Sequence, residues 1–249
     1  MVKNRRGRSF GGFTLIELMI VIAIIAIIAA IAIPGLLSSQ RASNERSAST
    51  SLKTLSTAEA DFRANDRDWN HVNDFWTYNV CGLYTMTSAA ISGAAANTTT
   101  DPAIKLIELS VASADSEGIS AAGVAGNAEY AALSTFAVPA AKAGYWYIAL
   151  INDMSVSGTT EQTYKMDTGG TPNMGSTHNT SKFGFLAFPD SQSAGKFVFI
   201  VNENNTIFRS ATSTFTRPAL SGGVPGTLAS PYNEFPGDVN LKSFWSKLD

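Results

Sequence analysis

From Leu18 to Ile33 the chain carries no polar side chain. With Phe13 to Glu17 before it and Pro34 to Leu37 after it, the run reaches the roughly 20 residues needed to cross a hydrocarbon core. Its Ile, Ala and Leu content suits a helix in lipid, where every backbone group must be satisfied within the segment. Pro34 lacks a donor and crowds the preceding turn, and Gly35 beside it adds freedom, so the pair predicts a kink. It is not read as a terminus, because helix-favouring sequence resumes after Leu36. Ala48, Leu52, Leu55, Ala58 and Phe62 then recur at spacings of four, three, three and four, which makes one apolar stripe. Arg46, Lys53, Glu59 and Arg63 are placed on other faces. The pattern predicts a nearly continuous helix from Phe13 to about Ala64, roughly 75 to 80 Å long at 1.5 Å per residue.

The period changes in the second half. GYWYIALI from Gly144, QTYKMDT, FGFLAFP and KFVFIVNENNTIFRSAT are aromatic and β-branched, mostly alternate, and are bounded by Gly, Pro and Asn, as half-buried strands are. Phe197 to Val201 and Thr206 to Arg209 are expected to form an antiparallel hairpin across Asn202, Glu203, Asn204 and Asn205. The fold class is therefore α+β, a long N-terminal helix packed on an antiparallel sheet of about four strands. Between helix and sheet, residues 85–143 are rich in Ala, Ser, Gly and Thr. Only Asp101-Pro102, followed by Ile104, Leu106, Ile107 and Leu109, predicts order there, as an N-cap and first-turn proline of a short helix. That stretch is read as an insertion and a surface for recognition. After Pro218, Phe244 and Trp245 are expected to clip the tail to the domain.

Charge changes the picture at the N-terminus. The 249 residues carry 18 Lys and Arg against 20 Asp and Glu, a formal −2, but Lys3, Arg5, Arg6 and Arg8 make the first dozen residues purely basic. By the positive-inside tendency this leader faces the cytoplasm and the bulk of the chain faces out. The leader stops at Gly11-Gly12 and the apolar helix starts at Phe13, so a cut after Gly12 removes the charges and retains the membrane segment. No Ala-x-Ala type site of an ordinary secretory signal follows Leu37. The cut leaves 14 cations against 20 acids, a formal −6, with no overall attraction for nucleic acid or anionic lipid. Glu17 is the one carboxylate in the apolar run. In lipid it costs on the order of 2 to 3 kcal/mol and calls for a partner or a proton, unless it lies wet at the headgroup boundary.

The pattern G-F-T-L-I-E-L, with the basic leader, Gly12, Phe13, Glu17, the long apolar run and Pro34, resembles the processing site of type IV pilins and type II secretion pseudopilins over about the first 40 residues. The resemblance implies a pilin-like fold and cleavage by a prepilin peptidase after Gly12, with methylation of the new terminal amine on Phe13. It also implies that Glu17 meets the terminal amine of a neighbouring subunit, fixing one axial offset in a helical filament of identical copies. An assembly ATPase, an inner-membrane platform protein and minor pilins or pseudopilins are the implied partners. FGFLAFPDSQSAGKFVFIVNENNTIFRS is loosely similar to the sheet region of secretion-type major pseudopilins. The expected organisation is a cleaved leader at 1–12, a transmembrane and filament-core helix at 13–37, its amphipathic continuation at 38–64, and an exported domain at 65–249. The expected location is a bacterial inner membrane with the C-terminal domain periplasmic, and a filament in the periplasm or at the surface.

After the helix, Asp66, Asp68, Asn70 and Asp74 fall at positions one, three, five and nine of an EF-hand-like loop, with the carbonyl of Val72 at seven, and so could ligate calcium. His71 stands where a glycine belongs and Thr77 where a closing glutamate belongs. A polar turn ending the helix is the competing reading, although calcium-stabilised loops occur in the pseudopilins the chain resembles. Cys81 is the only cysteine, so no intrachain disulfide forms. His71 and His178 lie in no nucleophile or metal spacing and are read as solvated loop histidines; no enzyme and no cofactor beyond calcium is expected. Two functional classes remain, a filament subunit and a monomeric membrane-anchored binding module. Between filament types the lone Cys81 prefers secretion, because many Gram-negative pilins staple their C-terminal region with a disulfide.

Overall fold

The computed structural model describes residues 12–67, 71–86, 104–116, 138–150, 152–153, 164, 178–214, 220–221, 224–225 and 234–248. It contains two compact units, residues 1–40 and 41–249. Helix α1, Leu15–Asn65, runs for 51 residues with Pro34 inside it, so Pro34-Gly35 does not end the helix. Ser38 and Ser39 both donate their hydroxyls to the carbonyl of Gly35, at 2.9 and 3.0 Å, the back-bonding that hydroxylated side chains make within helices. In the first unit Leu15, Ile20, Ile24, Ile28 and Ile31 are all exposed. By length and composition this helix can cross a membrane.

In the second unit α1 is amphipathic. Ala48, Leu52, Leu55, Ala58 and Phe62 are buried, the five positions of the apolar stripe. Glu59 corrects the sequence reading, because it too is buried and fully inaccessible. One residue past Ala58 and three before Phe62, it lies on the flank of the same stripe, and a backbone donor is waiting for it there.

Downstream come β1 (Phe75–Trp76), α2 (Gly82–Thr85), α3 (Leu109–Ala112), β2 (Tyr145–Ala149), β3 (Asn152–Asp153), β4 (His178–Asn179) and β5 (Gly184–Pro189). They are followed by β6 (Phe197–Asn202), β7 (Ile207–Ala211), β8 (Leu220–Ser221), β9 (Val224–Pro225), β10 (Glu234–Phe235), α4 (Asp238–Phe244) and β11 (Ser246–Leu248). Among the described residues the main sheet has five strands in the order β11-β7-β6-β5-β2, each neighbouring pair antiparallel. The strand beyond the expected four is β11, too short to carry a readable alternation. The hairpin forms between β6 and β7, where Asn205 takes the left-handed conformation at φ 54° and donates its N–H to Asn202 at 2.9 Å. β2 and β5 are buried at every position. Successive strand residues point to opposite faces, so these strands are covered on both sides and not half-buried. One hydrophobic cluster joins Leu52, Leu55 and Phe62 of α1 to Phe185, Leu186, Val198 and Ile200 of the sheet.

The helix expected from Asp101 differs from what is seen. Residues 101–103 lie outside the described residues, and Ile104 to Glu108 are not helical. Ile104 and Leu106 instead donate their N–H groups to Met86 and Leu83 at 2.8 and 2.9 Å, and Lys105 between them bends at φ 55°. Backbone pairing with the α2 segment has replaced helix formation, and only Leu109–Ala112 coils. The 85–143 stretch is also tied to the sheet: Tyr147 donates to Ala114 and accepts from Ser116, both at 2.8 Å. Of QTYKMDT only Tyr164 is described, and it is buried. Phe244 is exposed, while Trp245 and Leu248 pack against the core, so the aromatic pair contributes one clip and not two.

Candidate functional site

Phe13 is 89 % exposed and precedes the helix, whose first described turn is organised by Thr14. The Thr14 N–H donates to Glu17 Oε2 at 2.8 Å and its hydroxyl donates to the same oxygen at 2.7 Å. Glu17 N–H in turn donates to Thr14 Oγ1 at 3.3 Å. This is a reciprocal capping box, Thr-x-x-Glu, in which N-cap and N3 residues satisfy each other's orphan backbone donors. The structure thus places Phe13 and Glu17 at the same helix end, and adds Thr14. The sequence reading missed Thr14 although the spacing T-L-I-E carries the signal. A side chain built at Gly12 meets nothing within 4 Å among the described residues. Pro34 sits within α1, far along the apolar run.

The loop after α1 divides its candidate ligands. Asp68 and Asn70 lie outside the described residues. Asp66, at φ 44°, accepts the backbone N–H of His71 at 3.1 Å. His71 takes the left-handed bend itself at φ 65°, a conformation histidine tolerates better than most residues, so the missing glycine does not prevent the turn. The Val72 carbonyl accepts the N–H of Asp74 at 3.1 Å. Asp74 is buried and its Oδ1 lies 3.2 Å from Nδ1 of His178, while Thr77 is buried as well. Among the described residues no group of three or more His, Cys, Asp or Glu side chains is placed to hold a metal ion. A carboxylate committed to a core histidine does not fit a solvent-facing calcium shell. We expect the thermal unfolding midpoint to stay within about 2 °C when a chelator is added, given that loss of an ion held at 100 times its Kd would remove about 2.7 kcal/mol. A fall of several degrees would return calcium to this loop.

His178 is thus a core residue, not a solvated loop histidine as its sequence context predicts; His71 is exposed. His178 stands opposite Trp76 across the β1–β4 pair, its ring 5.3 Å from the indole and nearly perpendicular. Glu59 reaches the same place from α1: its Oε2 accepts the Trp76 N–H at 3.0 Å, and its other oxygen has no hydrogen-bond partner among the described residues. Burial holds this carboxyl well above the usual range, opposed in part by the Trp76 N–H and by His178. The indole Nε1 donates to Asn79 O at 2.9 Å, and a side chain at Gly82 would overlap the indole ring. Sequence periodicity reveals none of this, because it depends on donors brought together by the β1–β4 pairing. The arrangement docks a ribbon onto a helix.

A family profile described as the prokaryotic N-terminal methylation motif matches residues 7–33. The type IV major pilin protein PilA of Myxococcus xanthus (strain DK1622) is 59% identical over 59 residues, which make up 24% of this chain and 26% of that protein. The chain thus covers about a quarter of the length of the curated relative it matches. No solved structure matches.

Proposed function

We propose, from an N-terminal segment that is type IV pilin-like, that this chain is the subunit of a helical filament drawn from a bacterial inner membrane. One observation carries the reading: the methylation motif lies on a helix whose apolar side chains are exposed, a surface that lipid or a bundle of like helices covers. In this reading a prepilin peptidase cuts after Gly12, and Phe13 becomes the methylated N-terminus. The leader faces the cytoplasm and the C-terminal domain the periplasm. The ammonium of Phe13 then lies beside the carboxylate of Glu17 on the next subunit. Thr14 holds that carboxylate in place until then, so Glu17 enters lipid with one of its two oxygens hydrogen-bonded. An assembly ATPase, a platform protein and minor pilins belong to the same reading.

Intact mass of the native protein tests it. A chain beginning at Phe13 with one added methyl group is expected; a chain retaining Met1 to Gly12 overturns the proposal. For the filament class, the 59-residue likeness to a type IV major pilin favours a surface pilus. A secretion pseudopilus is the second reading, favoured by the lone Cys81. Sheared surface filaments that vanish on gene deletion, with secretion unchanged, select the first; loss of secreted proteins selects the second.

A further inference from the structure

The second unit carries a second stripe on α1, opposite in character to the buried one. Arg46, Thr50, Lys53, Thr57, Ala60 and Ala64 follow one another at spacings of four, three, four, three and four, and all six are exposed. Residues at these spacings lie along one face of the helix. The threonines ask nothing of a partner, because Thr50 and Thr57 donate their hydroxyls back to the carbonyls of Arg46 and Lys53, each at 2.9 Å. Only the cations remain unspent. Arg46 and Lys53 make no side-chain hydrogen bond or ion pair with any described residue. Arg63 on the flank lies 4.8 Å over the Phe75 ring.

Four acids near the stripe are already occupied or buried. Glu45 accepts the Lys196 N–H at 2.8 Å, Asp61 holds Arg67 at 2.7 Å, Glu108 holds Lys142 at 2.9 Å, and Glu59 is buried. Clefts run on both sides of the stripe. One of about 310 Å³ is lined by Ser43, Ser47, Thr54 and Lys142, and one of about 430 Å³ by Ser56, Asn73, Phe183 and Glu203. The ridge is therefore low, open at its flanks and positively charged. It belongs to a chain that, without its leader, has 14 cations against 20 acids; outside Arg46, Lys53 and Arg63 the balance is 11 against 20.

We propose that this stripe docks on the acidic surface of a second copy of the same chain, with Arg46 and Lys53 pairing with its carboxylates. The inference rests on the filament reading, which sets copies of an acidic subunit side by side and so needs a local surface that offsets their repulsion. Charge pairing across the ridge sets the register between neighbours and excludes misaligned ones. The small residues between the cations let the partner approach closely.

Zero-length carbodiimide coupling of native filaments, grown from a mixture of isotopically labelled and unlabelled subunits, tests the contact directly. Lys53 is expected in a mixed-isotope amide link to an Asp or Glu peptide. In the same cells the full-length Arg46→Glu/Lys53→Glu variant is expected to yield about tenfold fewer filaments while the processed subunit accumulates in the membrane and melts as the unaltered one does. The Arg46→Lys/Lys53→Arg variant restores the yield. Filaments in which Lys53 forms only same-chain links, or a charge-reversed chain that assembles at normal yield, would overturn this inference and leave the filament reading intact. Absence of filaments from the unaltered chain would overturn both.

Discussion

Glu17→Ala is expected to abolish filaments while leaving leader cleavage and membrane insertion intact. Removing the acid breaks the reciprocal bonds with Thr14, at 2.7 and 2.8 Å, and a lost N-cap interaction costs about 1 kcal/mol. Against a helix of 51 residues that cost frays one turn. Insertion itself becomes easier, because a carboxylate in apolar surroundings costs on the order of 2 to 3 kcal/mol. What disappears is the charge that, in the proposed filament, the Phe13 ammonium of a neighbour meets. Thr14→Ala separates the two roles: it removes the hydroxyl and keeps the acid, so its filaments are expected to form. Immunoblots of sheared and cell-bound fractions read both variants. Filaments of normal yield from Glu17→Ala would take the carboxylate out of the assembly mechanism.

Glu59→Gln is expected to flatten the pH dependence of stability. Burial raises the Glu59 carboxyl well above its ordinary value of 4.5, so the folded chain holds a proton that the unfolded chain has released. A raised carboxyl contributes its full stability below the unfolded value and loses it as pH climbs towards the folded one. The slope for one group is at most about 1.4 kcal/mol per pH unit. Glutamine keeps an oxygen for the Trp76 N–H and cannot ionise. The two proteins should melt alike near pH 4, and the variant should gain by up to about 3 kcal/mol across two units above that. Chemical denaturation of the detergent-solubilised chain at pH 4, 5, 6 and 7 reads the difference. A constant gap at all four values would mean that the Glu59 carboxyl titrates alike in the folded and unfolded chain and that burial does not raise it.

Periodicity made α1 legible because Ala48, Leu52, Leu55, Ala58 and Phe62 repeat a single geometric rule. It failed at Glu59 because side-chain type alone does not reveal a backbone donor, here that of Trp76, that folding brings to the same spot. His178 failed for the same reason: its partner Asp74 lies far away in sequence and arrives only through the β1–β4 pairing. The core strands β5 and β6 announced themselves by aromatic and branched residues, whereas three-residue β11 has no alternation to read. At the candidate site, Gly12, Phe13 and Glu17 lie in a motif that is legible in sequence and that the methylation profile matches over residues 7–33. Thr14 is legible too, through the Thr-x-x-Glu spacing. Oxygen spacing along the chain does not show that Asp74 turns inward to His178.

The distance along the chain between the α1 stripe and its partners has a kinetic consequence. Leu52, Leu55 and Phe62 share their cluster with Phe185, Leu186, Val198 and Ile200, so the apolar flank of the helix emerges long before the strands that shield it. Closing such long loops must precede any reward from the contacts, which makes this a slow folder compared with a helical bundle. A chain caught before those strands have formed would present a greasy, unprotected rod, and quality-control proteases should take their toll at that stage.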